Sequence, residues 1–350
     1  MLLYHKIQIK EVTIMDYVTL GSTGIKVNKN GFGALPLQRI TEGDAVLLLK
    51  KAYDNGITFY DTARFYTDSE KKIGIALSSF RDKIFIATKT TAKKTDAFWE
   101  DLKTSLGFLR TGYADIYQFH MAPFCPKPGD GSGLYEAMLE AKAQGKIRHI
   151  GITCHKLHVA IEAAESGLYE TIQYPISYLS TSGELDLIRV CKERNIGLIG
   201  MKALAGGIIT NSAAAYAFLM QFDNVLPIWG VQFESELDEF LKYQDTPPSF
   251  EDPEIKNAIE RDIAKLSEDF CRGCGYCMPC PAGIEIPTAA RMSVLLVRTS
   301  PSMWLTENWR KNMAHAVNCT NCGRCTKNCP YELDAPRLIR ESFADYQKYL

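Results

Sequence analysis

The sequence predicts an α/β protein: a closed (β/α)8 barrel of the TIM type followed by a small α-helical C-terminal domain. Three observations carry this. Short apolar runs alternate with stretches of helical period eight times over roughly 210 residues, a pattern that demands a parallel sheet with right-handed crossovers and, at eight units, closure. The segment after the first predicted strand, Gly31-Phe-Gly-Ala-Leu-Pro36, lacks the G-x-G-x-x-G spacing of the doubly wound alternative and does not run straight into a helix. Finally, eight of the eleven cysteines fall between Cys271 and Cys329, beyond a break in periodicity at Tyr243-Gln-Asp-Thr-Pro-Pro-Ser-Phe250.

In chain order, residues 1–15 read as an N-terminal extension, with Met15 an alternative start. Met15 to Val27 carries the turn Gly21-Ser-Thr-Gly24 between two β-like pieces, which predicts a hairpin. Strands are predicted near 31–35, 57–60, 84–88, 114–119, 147–152, 171–174, 196–200 and 225–229. Helices are predicted at 44–53, where Asn55-Gly56 supplies the stop, and near 69–78, 96–108, 133–144, 157–166, 184–194 and 211–221. The last strand is not followed by a clear helix signal. The domain boundaries expected are 1–15, 16–245 for the barrel and 246–350 for the C-terminal domain, which opens with a helix over Glu254 to Phe270. The stretch from Ala289 to Ala316, with Trp304 and Trp309, has the polar–apolar mix of helices, and its aromatic residues read as core.

Charge is balanced, 40 basic residues against 41 acidic, so no general polyanion-binding field is expected and nucleic acid is not a favoured partner. No apolar run of about 18 residues occurs, so no membrane-spanning helix is predicted, and a cytoplasmic location is the expectation. In a chain read that way, clustered cysteines point to metal before disulfides.

Four ionisable groups stand at three successive strand exits. The run Ile57 to Tyr66 brings Asp61 and Tyr66, Ile84-Phe-Ile-Ala-Thr88 delivers Lys89, and Ala114 to Phe119 delivers His120. Strand exits are where barrel enzymes keep catalytic groups. A phenol ordinarily titrates near pH 10; a nearby ammonium lowers that value, and a carboxylate keeps the ammonium charged and in place. A histidine beside them can hydrogen-bond a substrate oxygen. Such a set can hand a proton to an oxygen as hydride reaches its carbon, which is carbonyl reduction.

The run Phe59-Tyr-Asp-Thr-Ala-Arg-Phe-Tyr66, with Ser69-Glu70 and Gly74 behind it, resembles the aldo-keto reductase signature. Ala87-Thr-Lys89, Tyr117-Gln-Phe-His120 and Gly145-Lys-Ile-Arg-His-Ile-Gly-Ile-Thr153 resemble later blocks of that family, so the likeness covers about residues 16–242. It implies a barrel that uses NADPH or NADH, with Tyr66 as proton donor, Asp61 and Lys89 tuning it and His120 orienting the carbonyl. It also implies cofactor positions. Gly33 and Ala34 lie at the first strand's exit, and Thr153 and Cys154 fall where a Ser-Asn pair usually holds the nicotinamide amide. Gln173 matches that amide's other partner, and Met201 stands where a Tyr commonly stacks on the ring; a thioether can still pack there. Lys202, Ala203 and the turn Leu204-Ala-Gly206-Gly207 are implied near the pyrophosphate, and Gly230, Val231 and Gln232 follow the last strand. That last stretch has no basic residue for a 2′-phosphate, and Glu234 and Glu236, if pointing inward, would repel one. Cys154 is expected to be a buried, inert thiol. Met121 to Gly133 is expected to wall the substrate pocket.

The cysteines form two runs. One is Cys271-x-x-Cys274-x-x-Cys277-x-x-Cys280-Pro281; the other is Cys319-x-x-Cys322-x-x-Cys325-x-x-x-Cys329-Pro330. This is the two-cluster ferredoxin pattern, in which each run's fourth cysteine ligates the other cluster. Cys271, Cys274, Cys277 and Cys329 are therefore assigned to one [4Fe–4S] cluster, and Cys319, Cys322, Cys325 and Cys280 to a second. Structural zinc would use separated C-x2-C pairs instead. The function expected is reduction of a small carbonyl substrate to its alcohol, or the reverse. Three roles stand open for the clusters, which are holding the C-terminal domain together, sensing oxidants, or exchanging electrons with a ferredoxin or other carrier, and the last is favoured over a purely structural one. The alternative is an iron–sulfur electron-transfer or redox-sensing protein on a barrel that no longer reduces carbonyls.

Overall fold

The computed structural model of the chain describes residues 17–266, 270–298 and 301–350. The extension expected at 1–15 lies outside the described residues. The described chain forms two compact units. The first holds the chain to Ala203 together with Ala213–Ile255, and the second holds Leu204–Ser212 with Lys256–Leu350.

The first unit opens with an antiparallel hairpin, β1 (Tyr17–Thr19) and β2 (Lys26–Asn28), with Val18 opposite Val27. Eight parallel strands follow and close into a barrel: β3 (Gly31–Gly33), β4 (Phe59–Asp61), β5 (Phe85–Thr90), β6 (Ala114–Phe119), β7 (Ile147–Thr153), β8 (Thr171–Pro175), β9 (Gly197–Met201) and β10 (Val225–Gly230). Closure pairs β10 with β3, Ile228 against Gly31 and Gly230 against Gly33. A methyl group on Gly31 or Gly33 would stand 2.9 Å from the carbonyl oxygen of Pro227 or Trp229, so this seam needs residues without a side chain.

Helices α1 (Glu42–Asp54), α2 (Ser69–Leu77), α3 (Thr95–Leu109), α4 (Leu134–Ala143), α5 (Leu157–Ser166), α6 (Ser182–Glu193), α7 (Ser212–Met220) and α8 (Glu234–Asp245) alternate with the strands. The sequence offered no clear helix after the last strand, yet α8 forms. It buries only Leu237, Phe240 and Gln244, too sparse an apolar face to read from periodicity, and the Glu236 carboxylate caps it by accepting from its own N-terminal backbone. The expected linker at Tyr243 consequently starts inside this helix.

The hairpin gives the barrel a closed end. Val18, Leu20, Ile25 and Val27 pack with Phe59, Ala87, Ile116, Ile199, Leu226 and Ile228 in one buried cluster. Ser22 N donates to Asn195 O and Gly21 bridges Ile196, just before β9 begins. The hairpin thus covers the end at which strands start and leaves chemistry to the end at which they finish.

The second unit is helical: α9 (Pro253–Leu266) runs across its start, followed by α10 (Ile286–Ala289), α11 (Met292–Arg298), α12 (Glu307–Ala314), α13 (Arg324–Lys327) and α14 (Ala335–Gln347). Its core gathers Ile284, Met292, Leu296, Met313, Ile339 and Tyr346. Trp304 and Trp309 meet edge to face, 5.3 Å between ring centres, and lean on that core as packing residues. Among the described residues no helix is long and apolar enough to cross a membrane.

Candidate active site and cysteine cavities

Asp61 is the last residue of β4, and Lys89 lies one residue before the end of β5, so both stand within the final residues of their strands, at the exits. Both are buried. Lys89 Nζ donates to Asp61 Oδ1 and Oδ2, each at 2.7 Å, and to the carbonyl of Thr62 at 2.7 Å. Burial pushes the Asp61 carboxyl up and the Lys89 ammonium down, each opposed by the other's charge. Tyr66 turns its ring face to this ion pair, with Lys89 Nζ 5.3 Å from the ring centre. His120 meets the Tyr66 ring edge-on at 5.6 Å. The four groups named from the sequence therefore converge at the finishing end of the barrel.

One electrostatic expectation fails. The Tyr66 hydroxyl is pushed above its ordinary value, by burial first and by the Asp61 carboxylate second. The reason is geometric. An ammonium has three protons, and Lys89 gives all three to Asp61 and Thr62, leaving none aimed at the phenol. Tyr66 is accordingly a neutral O–H donor. Burial, aided by the Lys89 charge, holds His120 down to about 3, so its imidazole is neutral as well, and its Nδ1 has no hydrogen-bond partner among the described residues.

The residues behind Tyr66 prove to be scaffold, and sequence reasoning missed what they do. Ser69 Oγ donates to Ala34 O and shares a hydrogen bond with Thr62 Oγ1, both at 2.9 Å. Buried Glu70 accepts from Thr88 Oγ1 at 2.6 Å and pairs with Arg64, which also reaches Thr67 O at 3.1 Å. Thr62 N and Arg64 N continue the ladder onto β5 through Ala87 O and Lys89 O. Gly74 lets α2 press onto α3: a methyl there would stand 2.0 Å from Phe108 O. The signal was present as an Arg and a Glu flanking the Tyr, but nothing in the sequence said they met. The loop Met121 to Gly133 is held by its own Asp130, which accepts from Lys127 N and Ser132 N, and it exposes Phe124.

In the second unit the two cysteine runs interlock. Cys271, Cys274, Cys277 and Cys329 line one small cavity, which Cys325 also reaches. Cys280, Cys319, Cys322 and Cys325 line another, which Cys277 also reaches. The fourth cysteine of each run thus faces the cavity of the other. Among the described residues no three His, Cys, Asp or Glu side chains are drawn together as around one metal ion. The thiols stand instead around open spaces walled by Ile286, Leu338 and Ile339. Gly273 N donates to Cys271 Sγ at 3.4 Å, the kind of bond that steadies a thiolate ligand.

Comparison with known proteins agrees with this geometry. The model of the Aldo/keto reductase family matches residues 29–224. The chain belongs to that family. A 4Fe-4S dicluster domain model matches residues 270–334, so the aldo-keto reductase barrel is followed by an iron–sulfur domain. L-galactose dehydrogenase of Arabidopsis thaliana is 31% identical over 218 residues, covering 57% of this chain and 68% of that protein. Aldo-keto reductase YhdN of Bacillus subtilis is 28% identical, covering 56% of this chain and 64% of that one. The chain thus spans about two thirds of the length of these relatives. Among solved structures, aldo-keto reductase AKR11C1 from Bacillus halodurans superposes with a TM-score of 0.61 at 21% identity, covering 71% of this chain and 96% of that one, a likeness of fold.

In this aldo-keto reductase, the positions implied for the nicotinamide already have partners within the barrel. Gln173 is turned inward: its Nε2 donates to Asp61 Oδ2 at 3.4 Å and its Oε1 accepts from Gln118 Nε2 at 2.9 Å. Thr153 Oγ1 donates to Met201 Sδ at 3.9 Å. Burial pushes the Cys154 thiol up to about 12, an inert group. Gly33 serves the barrel seam, and Ala34 N donates to Asp61 O at 2.8 Å. Val231 is buried, and Gly230 pairs with Gly33. Glu234 and Glu236 do not point inward as a pair. Glu234 meets Lys51 at 2.6 Å, while Glu236 accepts from Gln232 N and Phe233 N. After β9 and its neighbour Ala203, Lys202, Ala205, Gly206 and Gly207 all adopt left-handed backbone, φ +55°, +49°, +69° and +91°. A methyl on Gly207 would meet nothing within 4 Å. The turn closes through Gly207 N and Ile209 N onto Leu204 O. It also packs within the second unit, where Arg291 Nη1 donates to Gly206 O at 3.2 Å.

The buried pair gives a first test. Lys89→Met leaves the Asp61 carboxylate unpaired and should cost about 3–5 kcal/mol in denaturant unfolding. Adding Asp61→Asn should restore most of that stability but no carbonyl reduction. Full activity in the double variant would reduce the pair to a barrel-end salt bridge.

Proposed function

We propose that the barrel reduces an aldehyde or ketone to its alcohol, and that the C-terminal unit holds two [4Fe–4S] clusters that exchange electrons with a carrier such as a ferredoxin. The observation that carries the first part is the neutral Tyr66–His120 pair seated on the fully engaged Asp61–Lys89 ion pair. Membership of the aldo-keto reductase family supports a nicotinamide dinucleotide. When bound, NADPH or NADH would supply a hydride from C4 of its nicotinamide to the carbonyl carbon. His120, a neutral imidazole, holds the carbonyl oxygen by a ring N–H. Tyr66 gives that oxygen its proton as negative charge develops there, and the phenolate left behind regains a proton from solvent. Lys89, locked to Asp61, keeps a fixed positive charge under the phenol ring, so the phenolate forms beside a cation. A phenol raised above its ordinary value still protonates an alkoxide, a far stronger base, but resists ionising beforehand. The phenol therefore keeps its proton until the alkoxide forms.

For the clusters, Cys271, Cys274, Cys277 and Cys329 would hold one and Cys280, Cys319, Cys322 and Cys325 the other, supported by the crossed lining of the two cavities. A cluster supplies one-electron chemistry. A second reading, an iron–sulfur electron-transfer or redox-sensing protein on a barrel that no longer reduces carbonyls, draws on the inward turn of Gln173 and the Thr153–Met201 contact.

Tyr66→Phe should lower turnover of a simple aldehyde by about 10²–10⁴-fold, while nucleotide still quenches protein fluorescence with unchanged affinity. Retained turnover contradicts the assigned proton donor. In the wild-type protein, His120 takes up a proton only below about pH 3 and Tyr66 loses its proton only above the ordinary phenol value. Reductive kcat/KM should then stay level from about pH 5 to 9, and alcohol oxidation should climb with pH throughout. An inflection near the free-histidine value would place a titrating imidazole in the reaction.

A further inference from the structure

The two cysteine cavities are not equally open. Of the eleven cysteines, all described, Cys322 alone is exposed; none in the run Cys271–Cys280 is. Around Cys322 the surface is continuous: Val317 and Asn318 are exposed, as are Thr320 to Arg324. Val317 is an apolar side chain 70% exposed, two residues before Cys319, which lines that cavity with Cys322. Within Val317–Lys327 the charged side chains are Arg324 and Lys327 with no carboxylate, and the nearest carboxylates along the chain are Glu307 before it and the exposed Glu332 and Asp334 after it. Glu307 is occupied by Lys311 at 2.7 Å. Arg324 and Lys327, both exposed, stand three residues apart on α13 and so share a side of it.

Resting on the cluster reading above, we propose that the surface Val317–Lys327 is the docking site of an acidic one-electron carrier protein, and that electrons cross at Cys322. The chemistry fits the occupant. An exposed apolar contact rimmed by uncompensated cations is complementary to a carrier with a negative face, and opposite fields raise the encounter rate and fix orientation. A thiol ligand at the surface shortens the path that an electron must cross. In the exchange, the reduced carrier loses one electron and the group held by Cys280, Cys319, Cys322 and Cys325 gains it, with no proton or bond exchanged. In the run Cys271–Cys280 no cysteine is exposed.

The test uses the full anaerobic protein, its iron content checked, and a reduced acidic [2Fe–2S] ferredoxin as probe. Binding is read by titration calorimetry, and reduction by stopped-flow absorbance. Lys327→Glu and, separately, Val317→Asp should weaken binding and slow reduction by the ferredoxin at least about tenfold at low salt. Raised salt should do the same to the wild type, and Lys103→Glu on α3 should do nothing. Reduction by dithionite, which needs no docking face, should be equal in all. Ferredoxin binding that is unchanged in both variants, or no binding to a protein that dithionite reduces, overturns the docking site. An iron-replete protein that dithionite fails to reduce removes the cluster reading, and the proposal falls with it.

Discussion

The structure turns on how one ammonium is spent. Lys89 has three protons, and the end of the barrel takes them all, two for Asp61 and one for the carbonyl of Thr62. A buried ion pair is costly unless such bonds are complete. Completing them fixes the β4 and β5 exits relative to each other and, through Thr62, the start of the loop that carries Tyr66. The price is that the phenol is not acidified. The site instead presents two neutral groups, a phenol and an imidazole, over a fixed charge, an arrangement suited to giving a proton at the moment an oxygen becomes basic.

The hairpin and the glycine seam serve the same end. By filling the barrel where strands begin, Val18, Leu20, Ile25 and Val27 leave only the opposite mouth for function. The Arg64–Glu70–Thr88 clamp then holds the Tyr66 loop from behind, so the proposed proton donor sits on a braced segment rather than a free loop. In the second unit the same logic is carried out with thiols: two runs that are each incomplete interlock so that every cavity draws from both. With the proposed clusters bound, that crossing would tie residues about 50 apart in sequence, which a small helical core otherwise holds by packing alone.

Much of this was legible in the chain. Period-two and period-3.6 patterns located the barrel strands to within about two residues, and cysteine spacing anticipated the crossed lining. Helix α8 was not legible, because a helix burying only Leu237, Phe240 and Gln244 leaves almost no apolar stripe to detect. The charge state of Tyr66 was not legible either. Sequence placed a lysine near a phenol, but whether an ammonium acidifies its neighbour depends on where its protons point, and that is set by the β4–β5 register. Glu234 and Glu236 looked like one acidic pair facing a cofactor, and geometry split them between Lys51 and a helix cap.

The central claim is that this barrel carries hydride to a carbonyl carbon while its own side chains supply the proton. The most direct measurement is isotope transfer. Anaerobic protein is given NADPH or NADH deuterated at C4 together with a panel of simple aldehydes, and the alcohols are examined by mass spectrometry and NMR. The account predicts deuterium at the carbinol carbon, from one face of the nicotinamide, with the hydroxyl proton drawn from solvent. Nucleotide that binds but passes no deuterium to any carbonyl, while its electrons appear in the iron–sulfur chromophore, would contradict it.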